Sequence, residues 1–209
     1  MKLKTPLPTQ EDHEQAKKKM EIWAQERLAD PKTLIVDVET TGLLNKDPKT
    51  EIVSISLINT QGKPVLSALV NPGRPIPMAS QKIHGIDDRM VKDVPPWFVI
   101  GDIVSGIIHG KHLVAFNAGF DIHLVVTLLQ RYEMEVPEFD VSCAMEAYAA
   151  YVGDWSKSKG DYKWQRLPKL AYGQAHDSLV DCQSTLLLMK KMAGDHSADP
   201  SPEDIELNF

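Results

Sequence analysis

Cysteine is scarce in this chain: two among 209 residues, Cys143 and Cys182, without the close spacing of a metal-binding pair. A disulfide framework is thereby excluded, and both thiols read as small buried apolar groups in a reducing compartment. Long apolar runs are also lacking. No stretch approaches the roughly 20 residues that span a bilayer, and the first ten residues are polar and proline-bearing, unlike a basic segment leading into an apolar one. A soluble cytoplasmic protein with no membrane partner is expected. Positive charge is the third shortage: 23 Lys and Arg face 29 Asp and Glu, a formal charge of -6. That balance argues against tight, nonspecific coating of duplex nucleic acid. Five of the acids, however, are Asp195, Asp199, Glu203, Asp204 and Glu206, in a stretch without Lys or Arg. The rest of the chain is close to neutral, so composition is compatible with a nucleic-acid partner, the more so if some acids bind cations. Internal repeats and low-complexity stretches are absent as well.

What remains is ordinary globular material, 43% hydrophobic and long enough for one domain with a proper core. Residues 1–30 read as an N-terminal helical extension, because Ala16, Met20, Trp23, Ala24 and Leu28 recur at helical spacing among charges over 11–30. Pro31 and Lys32 end that helix. Residues 31–194 form the domain proper. Its first strand, 33–39, is apolar on both faces through Leu34, Ile35, Val36 and Val38, the pattern of a central strand covered on both sides. Strands over 51–59 and 64–71 follow across a short turn as an antiparallel meander. Beyond a proline-rich loop the pattern predicts a helix through Ile108, a buried strand over 112–116 and a helix over 117–131. A short strand or loop over 136–141, a helix over 142–152, a polar connection over 153–166 and a long helix over 177–193 complete the domain. Strands in a meander, then alternating with helices, define an α/β domain with a mixed β-sheet flanked by helices. Residues 195–209 read as an acidic, disordered tail, although the alternation Asp204, Ile205, Glu206, Leu207, Asn208, Phe209 would also suit docking on a partner.

Asp37 and Glu39 stand two apart at the C-terminal end of the central strand, so both carboxylates project from one face. Alone, such a pair equally fits a strand end running into solvent at Thr40, Thr41 and Gly42. Asp121 shares a helix face with Leu124, Val125 and Leu128, where a core-facing residue is expected and an ionised carboxylate needs a partner. Its plainer reading is an acid at a helix start, favoured by the dipole, with Asn117 as the cap. Asp181 lies early in the last helix, five residues after His176, with Asp177 placed as the N-cap. Each of these, singly, fits an ordinary structural role.

Together, Asp37-Val38-Glu39-Thr40-Thr41-Gly42-Leu43, Asn117-Ala118-Gly119-Phe120-Asp121 and His176-Asp177-Ser178-Leu179-Val180-Asp181 resemble the three motifs of the DEDDh exonuclease family. That family includes the proofreading epsilon subunits of bacterial DNA polymerase III, and Ile83-His84-Gly85-Ile86 resembles a further segment of the epsilon-like members. The resemblance implies an RNase H-like fold. It also implies that Asp37, Glu39, Asp121 and Asp181 hold two Mg²⁺ or Mn²⁺ ions, hard cations suited to carboxylate oxygens, with His176 as general base. Tyr172, nine residues before Asp181, is out of place for the tyrosine branch. The implied activity is 3′-to-5′ removal of nucleoside 5′-monophosphates from single-stranded 3′ ends, most naturally of DNA, with a polymerase or another nucleic-acid-processing protein as a partner. The alternatives are an exoribonuclease, trimming RNA or degrading short oligoribonucleotides, and a non-catalytic nucleic-acid-binding scaffold.

Expected substrate contacts are Thr40, Thr41, Gly42 and Leu43, with amides or a hydroxyl near the 3′-OH and Leu43 wedged against the last base. His84, Asn117 and Phe120 are further candidates, although a loop-shaping role for His84, a cap for Asn117 and a core position for Phe116 and Phe120 fit as well. In the 153–166 segment Trp155, Tyr162 and Trp164 interleave with Lys157, Lys159, Lys163 and Arg166, a composition suited to stacking bases and tracking phosphates, with Trp164 the nominated contact. A solvated loop with incidental aromatics is the equal alternative.

Overall fold

The sheet begins with β1 (Thr33–Thr40), whose two faces are both apolar because both are covered. Leu34, Val36 and Val38 enter a large core with Trp97, Ile100, Val104, Ile122, Val125 and Leu128, while Ile35 packs with Cys182, Leu186 and Met189 on the other side. The computed structural model describes residues 7–171, 173 and 176–195; Tyr172 and all of the expected tail except Asp195 lie outside them. In chain order, α1 (Gln10–Ala29) precedes β1, which leads through β2 (Ile52–Asn59) and β3 (Pro64–Leu69) to the short helices α2 (Met78–His84) and α3 (Asp88–Val91). Then come α4 (Trp97–Ile108), β4 (His112–Ala115), α5 (Ala118–Arg131), β5 (Asp140–Cys143), α6 (Ala144–Val152), the strand pair β6 (Trp155–Ser156) and β7 (Asp161–Tyr162), and α7 (Ser178–Met192).

The five-stranded sheet runs β3-β2-β1-β4-β5, antiparallel from β1 to β3 and parallel from β1 to β5. This is the mixed, helix-flanked sheet of RNase H-like proteins. The parallel pairings need crossovers, which contain α4 between β1 and β4 and α5 between β4 and β5, so helices cover the faces of β1 and β4, in keeping with their apolar runs. Register matters most at one place: β1 pairs with β4 from Thr33 to Ile35 only, so Asp37 and Glu39 extend past the end of that neighbour. A crevice opens there, beyond the carboxyl ends of the parallel strands.

α1 starts with a capping box: Thr9 Oγ1 accepts from Asp12 N at 3.1 Å while Asp12 Oδ2 accepts from Thr9 N at 2.7 Å. Only Ala24 of this helix is buried; with Met20 and Trp23 beside it, it packs on Ala147, Leu188 and Met192 of α6 and α7. The small side chain lets the helix axes approach, which offsets a narrow apolar stripe.

Two regions differ from expectation. Of the short strand or loop expected at 136–141, residues 136–139 are loop and the strand begins at Asp140, because its position follows the partner: His112 pairs with Asp140 and Ala115 with Cys143. Pro137 has no N–H to give to such a ladder. The polar connection over 153–166 contains the β6–β7 hairpin, closed by a turn with Gly160 at φ 69° and by Trp155 standing edge-on to Tyr162, centroids 5.1 Å apart. Two-residue strands are too short to show a period of two.

Gly101 lies inside α4, where alanine is ordinarily better by about 1 kcal/mol. Here a Cβ would meet Met134 Sδ and the indole of the buried Trp97 at 2.9 Å. Overpacking costs about 1–3 kcal/mol and outweighs the propensity gain. Gly101→Ala is expected to lower the thermal midpoint by about 2–8 °C; a midpoint equal to or above wild type would show that the indole yields freely.

Candidate active site

Asp37 pairs with Ser56 and Glu39 with Ser54 across β1 and β2, and the register then shifts between Glu39 and Thr40. Such a bulge bends the strand directly after its second acid. The turn is held locally: Thr40 Oγ1 donates to Gly42 O at 2.7 Å and accepts from Gly42 N at 3.3 Å. Thr41 N donates to Glu51 O at 2.9 Å, and the Thr41 hydroxyl accepts from Glu51 N at 3.0 Å. Both threonine hydroxyls are therefore occupied by backbone, whereas Leu43, 45% exposed, stands at the rim.

Asp121 sits in the first turn of α5, 4% exposed, and its Oδ1 accepts from Val38 N at 3.3 Å. That amide lies past the last β1–β4 pair, so the carboxylate takes over where the neighbouring strand stops. Asn117 occupies the N-cap position of α5 but makes no side-chain cap bond; it is exposed and faces the same crevice. Asp181 lies in the first turn of α7, behind Asp177, whose Oδ1 accepts from Leu179 N and Val180 N at 2.9 and 3.3 Å. The backbone N–H of His176 donates to Asp181 Oδ2 at 3.2 Å, and His176 holds φ 64°, a left-handed conformation that side-chain-bearing residues seldom adopt. Ligand atoms of Glu39, Asp181 and His176 lie within 4.8 Å of one another.

All five residues line one cleft of about 990 Å³, together with Thr40, Thr41, Gly42, Leu43, His84 and Phe120. Phe120 is half-buried there and also packs on the main core. Trp164 is not among the lining residues; it is 63% exposed, with Lys159 Nζ 5.4 Å from its ring centre. His84 is 7% exposed. Its Nδ1 accepts from Ile86 N at 3.0 Å, so Nε2 carries the proton and donates to Thr40 O at 3.3 Å. Burial favours the neutral ring, pushing its pKa down. Both nitrogens thus hold backbone, one of them the carbonyl next to Glu39.

Several positions escaped the sequence reading. Ser178, buried under the acids, lies 2.8 Å from the hydroxyls of both Ser54 and Ser56, and Cys182 points its thiol at Ile35 O and Ser56 O. These contacts seat the first turns of α7 on β1 and β2 and so aim Asp181. The signal was available as two serines at alternate positions of an otherwise apolar strand. Arg166, which the sequence reading named with the 153–166 segment, lines the cleft, and so does Lys169, which it did not name.

The electrostatics are those of acids crowded without enough counter-charge. Burial, then Asp121, Glu39 and Asp181, push the Asp37 carboxyl well above its usual range. Burial, then Asp181 and Asp121, raise Glu39 from 4.5 to about 8. Asp121 is raised chiefly by burial, against the pull of its backbone hydrogen bonds, and Asp181 by burial, against His176. Carboxylates in this state are proton or cation traps: hard oxygen donors plus an imidazole suit a divalent cation.

Acids drawn from the end of a central strand and from helices on both faces of an RNase H-like sheet, with a histidine beside them, define a DEDDh-type exonuclease. Residues 34–189 match the model of the RNase T family, described as exonuclease, and the chain belongs to that family. It is 36% identical over 173 residues to the uncharacterized exonuclease CP81 of Escherichia phage 186, covering 77% of this chain and 87% of the phage protein. Over 114 residues it is 34% identical to the DNA polymerase III epsilon subunit of Rickettsia felis, covering 50% of this chain and 48% of the subunit. The chain thus spans about half the length of that relative. Among solved structures, exonuclease X in complex with 5′ overhanging duplex DNA is 25% identical with a TM-score of 0.50, covering 78% of this chain and 93% of that one.

A raised carboxyl pKa makes a stability prediction. Between about 4.5 and about 8 the folded chain keeps the Glu39 proton that the unfolded chain releases, so the native state binds more protons and stability falls as pH rises through that window. In EDTA the thermal midpoint should drop from pH 5 to pH 8, and Glu39→Gln should flatten the slope and raise the midpoint at pH 8, by about 2–4 °C per kcal/mol recovered. A wild-type midpoint that climbs across this range would contradict the assignment of strain to these acids.

Proposed function

We propose that the chain is a metal-dependent 3′-to-5′ exonuclease that releases nucleoside 5′-monophosphates from single-stranded 3′ ends, with DNA as substrate. The observation that carries this reading is the meeting in one cleft of Asp37, Glu39, Asp121, Asp181 and His176, from three separate stretches of chain. In this reading the four carboxylates would hold two Mg²⁺ or Mn²⁺ ions, which would offset the burial and the mutual repulsion that raise Asp37 and Glu39. Bound there, the ions supply Lewis-acid stabilisation of the attacking and departing oxygens.

The remaining work falls to the chain. His176, exposed at the cleft and tied by its backbone to Asp181, takes the proton of the attacking water. The water oxygen bonds to the terminal phosphorus, the bond from phosphorus to the 3′ oxygen of the preceding nucleotide breaks, and that oxygen is protonated from solvent. His84 holds the Thr40 carbonyl and so fixes the turn after Glu39. Gly42 and Leu43 then bear on the terminal nucleotide, Leu43 as an apolar wedge, with Asn117 and Phe120 on the facing wall.

DNA is proposed over RNA because the chain is similar to exonuclease X, solved with 5′ overhanging duplex DNA, and to the epsilon subunit of a DNA polymerase. The same relatives support a polymerase or other nucleic-acid-processing partner. Among the described residues no helix is long and apolar enough to cross a membrane, and the free thiols Cys143 and Cys182 fit a reducing cytoplasm. Exoribonuclease activity is the second reading, since the same acids and histidine serve either sugar.

A 5′-labelled single strand should shorten one nucleotide at a time in Mg²⁺ or Mn²⁺, faster than matched RNA, and not at all in EDTA. Asp37→Ala and Asp181→Ala should abolish turnover. His176→Ala should lower kcat by about 10²–10⁴ with single-strand binding retained, because a base acts only in the chemical step. Near-normal turnover in any of the three variants would reassign the site.

A further inference from the structure

Cationic residues are concentrated where the cleft runs out. From Asp154 to Lys169 the chain carries Lys157, Lys159, Lys163, Arg166 and Lys169 against two acids, Asp154 and Asp161, in a protein whose formal charge is -6. One of those acids is already used, since Asp154 Oδ1 lies 2.9 Å from Lys163 Nζ. Among the described residues no ion pair holds Lys157, Lys159 or Arg166.

The three aromatics of the segment divide by role. Trp155 packs edge-on against Tyr162, and Tyr162 in turn rests 5.6 Å from the His13 ring of α1, so these two anchor the β6–β7 hairpin to the body. Trp164 has no such duty. The residue is 63% exposed, and Lys159 brings a positive charge within 5.4 Å of the ring centre. Two residues further on, Arg166 lines the cleft itself. Their Cα atoms are therefore no more than about 7 Å apart, and a strand leaving the cleft past Arg166 meets the indole next.

We propose that Trp164, with Lys159 and Arg166, forms a subsite that begins at the edge of the catalytic cleft and binds the single strand on the 5′ side of the reacting nucleotide, stacking a base on the indole and neutralising the adjoining phosphates. This rests on the exonuclease reading for direction: the 3′ end lies at the acids, so what passes the hairpin is upstream. Stacking on an indole is tolerant of base identity, because every base presents a π face. The subsite lengthens the strand that the enzyme grips without adding sequence preference, and its anchoring on α1 makes the N-terminal helix part of substrate binding.

The test measures kcat/KM on 5′-labelled single strands, DNA and RNA, from dinucleotides to about 16 nucleotides. Wild type should gain with length and then level off. Trp164→Ala should lose about 5- to 100-fold on the long strands, mostly through KM, so that the ratio of long to dinucleotide substrate collapses. Trp164→Phe should recover most of that ratio. In parallel, fluorescence anisotropy of a labelled strand in EDTA reads binding without turnover. An equal loss on every length, or long-strand binding in EDTA unaltered by Trp164→Ala, overturns the subsite. Binding that depends on Trp164 in a wild-type protein without metal-dependent turnover would uphold the subsite and overturn the exonuclease reading instead. Neither binding nor turnover would overturn both.

Discussion

Four carboxylates are held close together at the floor of a cleft where burial weakens their screening by water, and the remainder of the domain is arranged around that repulsion. An isolated pair of acids at a strand end could turn outward and hydrate. Here the strand is central, Asp121 is nearly inaccessible, and α7 presses a fourth acid onto the group. Folding without cations must therefore keep protons on acids that would otherwise lose them. The energy to do so comes from the two apolar cores on either side of β1, which bury Leu34, Val36 and Val38 on one face and Ile35 on the other.

The geometry follows from one mismatch of lengths. β4 ends its pairing at the level of Ile35, while β1 continues through Thr40. Past that level the free edge of β1 offers its amides to side chains, and Val38 N finds Asp121. A longer β4 would fill the crevice with backbone and leave the acids no common space. The bulge after Glu39 and the Thr40 to Gly42 turn then carry the chain away before it can cover the opening.

Much of this was legible in the residues. The apolar run around Asp37 marked a doubly covered strand, the helical spacing of Asp121 with Leu124, Val125 and Leu128 marked a buried acid, and Asp177 marked the start of α7. The order of the sheet, with β4 and β5 parallel to β1, was legible only as a class of fold, because pairing across more than 70 residues is decided by packing and leaves no local trace. β5 shows the same limit: its start is set by His112, in another strand. Hidden too were the serines beneath the site, since a buried hydroxyl reads as surface until its partner, here Ser178 between Ser54 and Ser56, is known.

The seating of α7 across β1 and β2 ties the first of the four cleft acids, Asp37, to the last, Asp181, 144 positions later. Synthesis from a ribosome delivers α7 after the other elements that bear the cleft acids. A nascent or truncated chain that stops before His176 lacks both that histidine and Asp181, and exposes Ile35 and its neighbours. On the proposed reading, nuclease competence arrives in one step, with completion of α7.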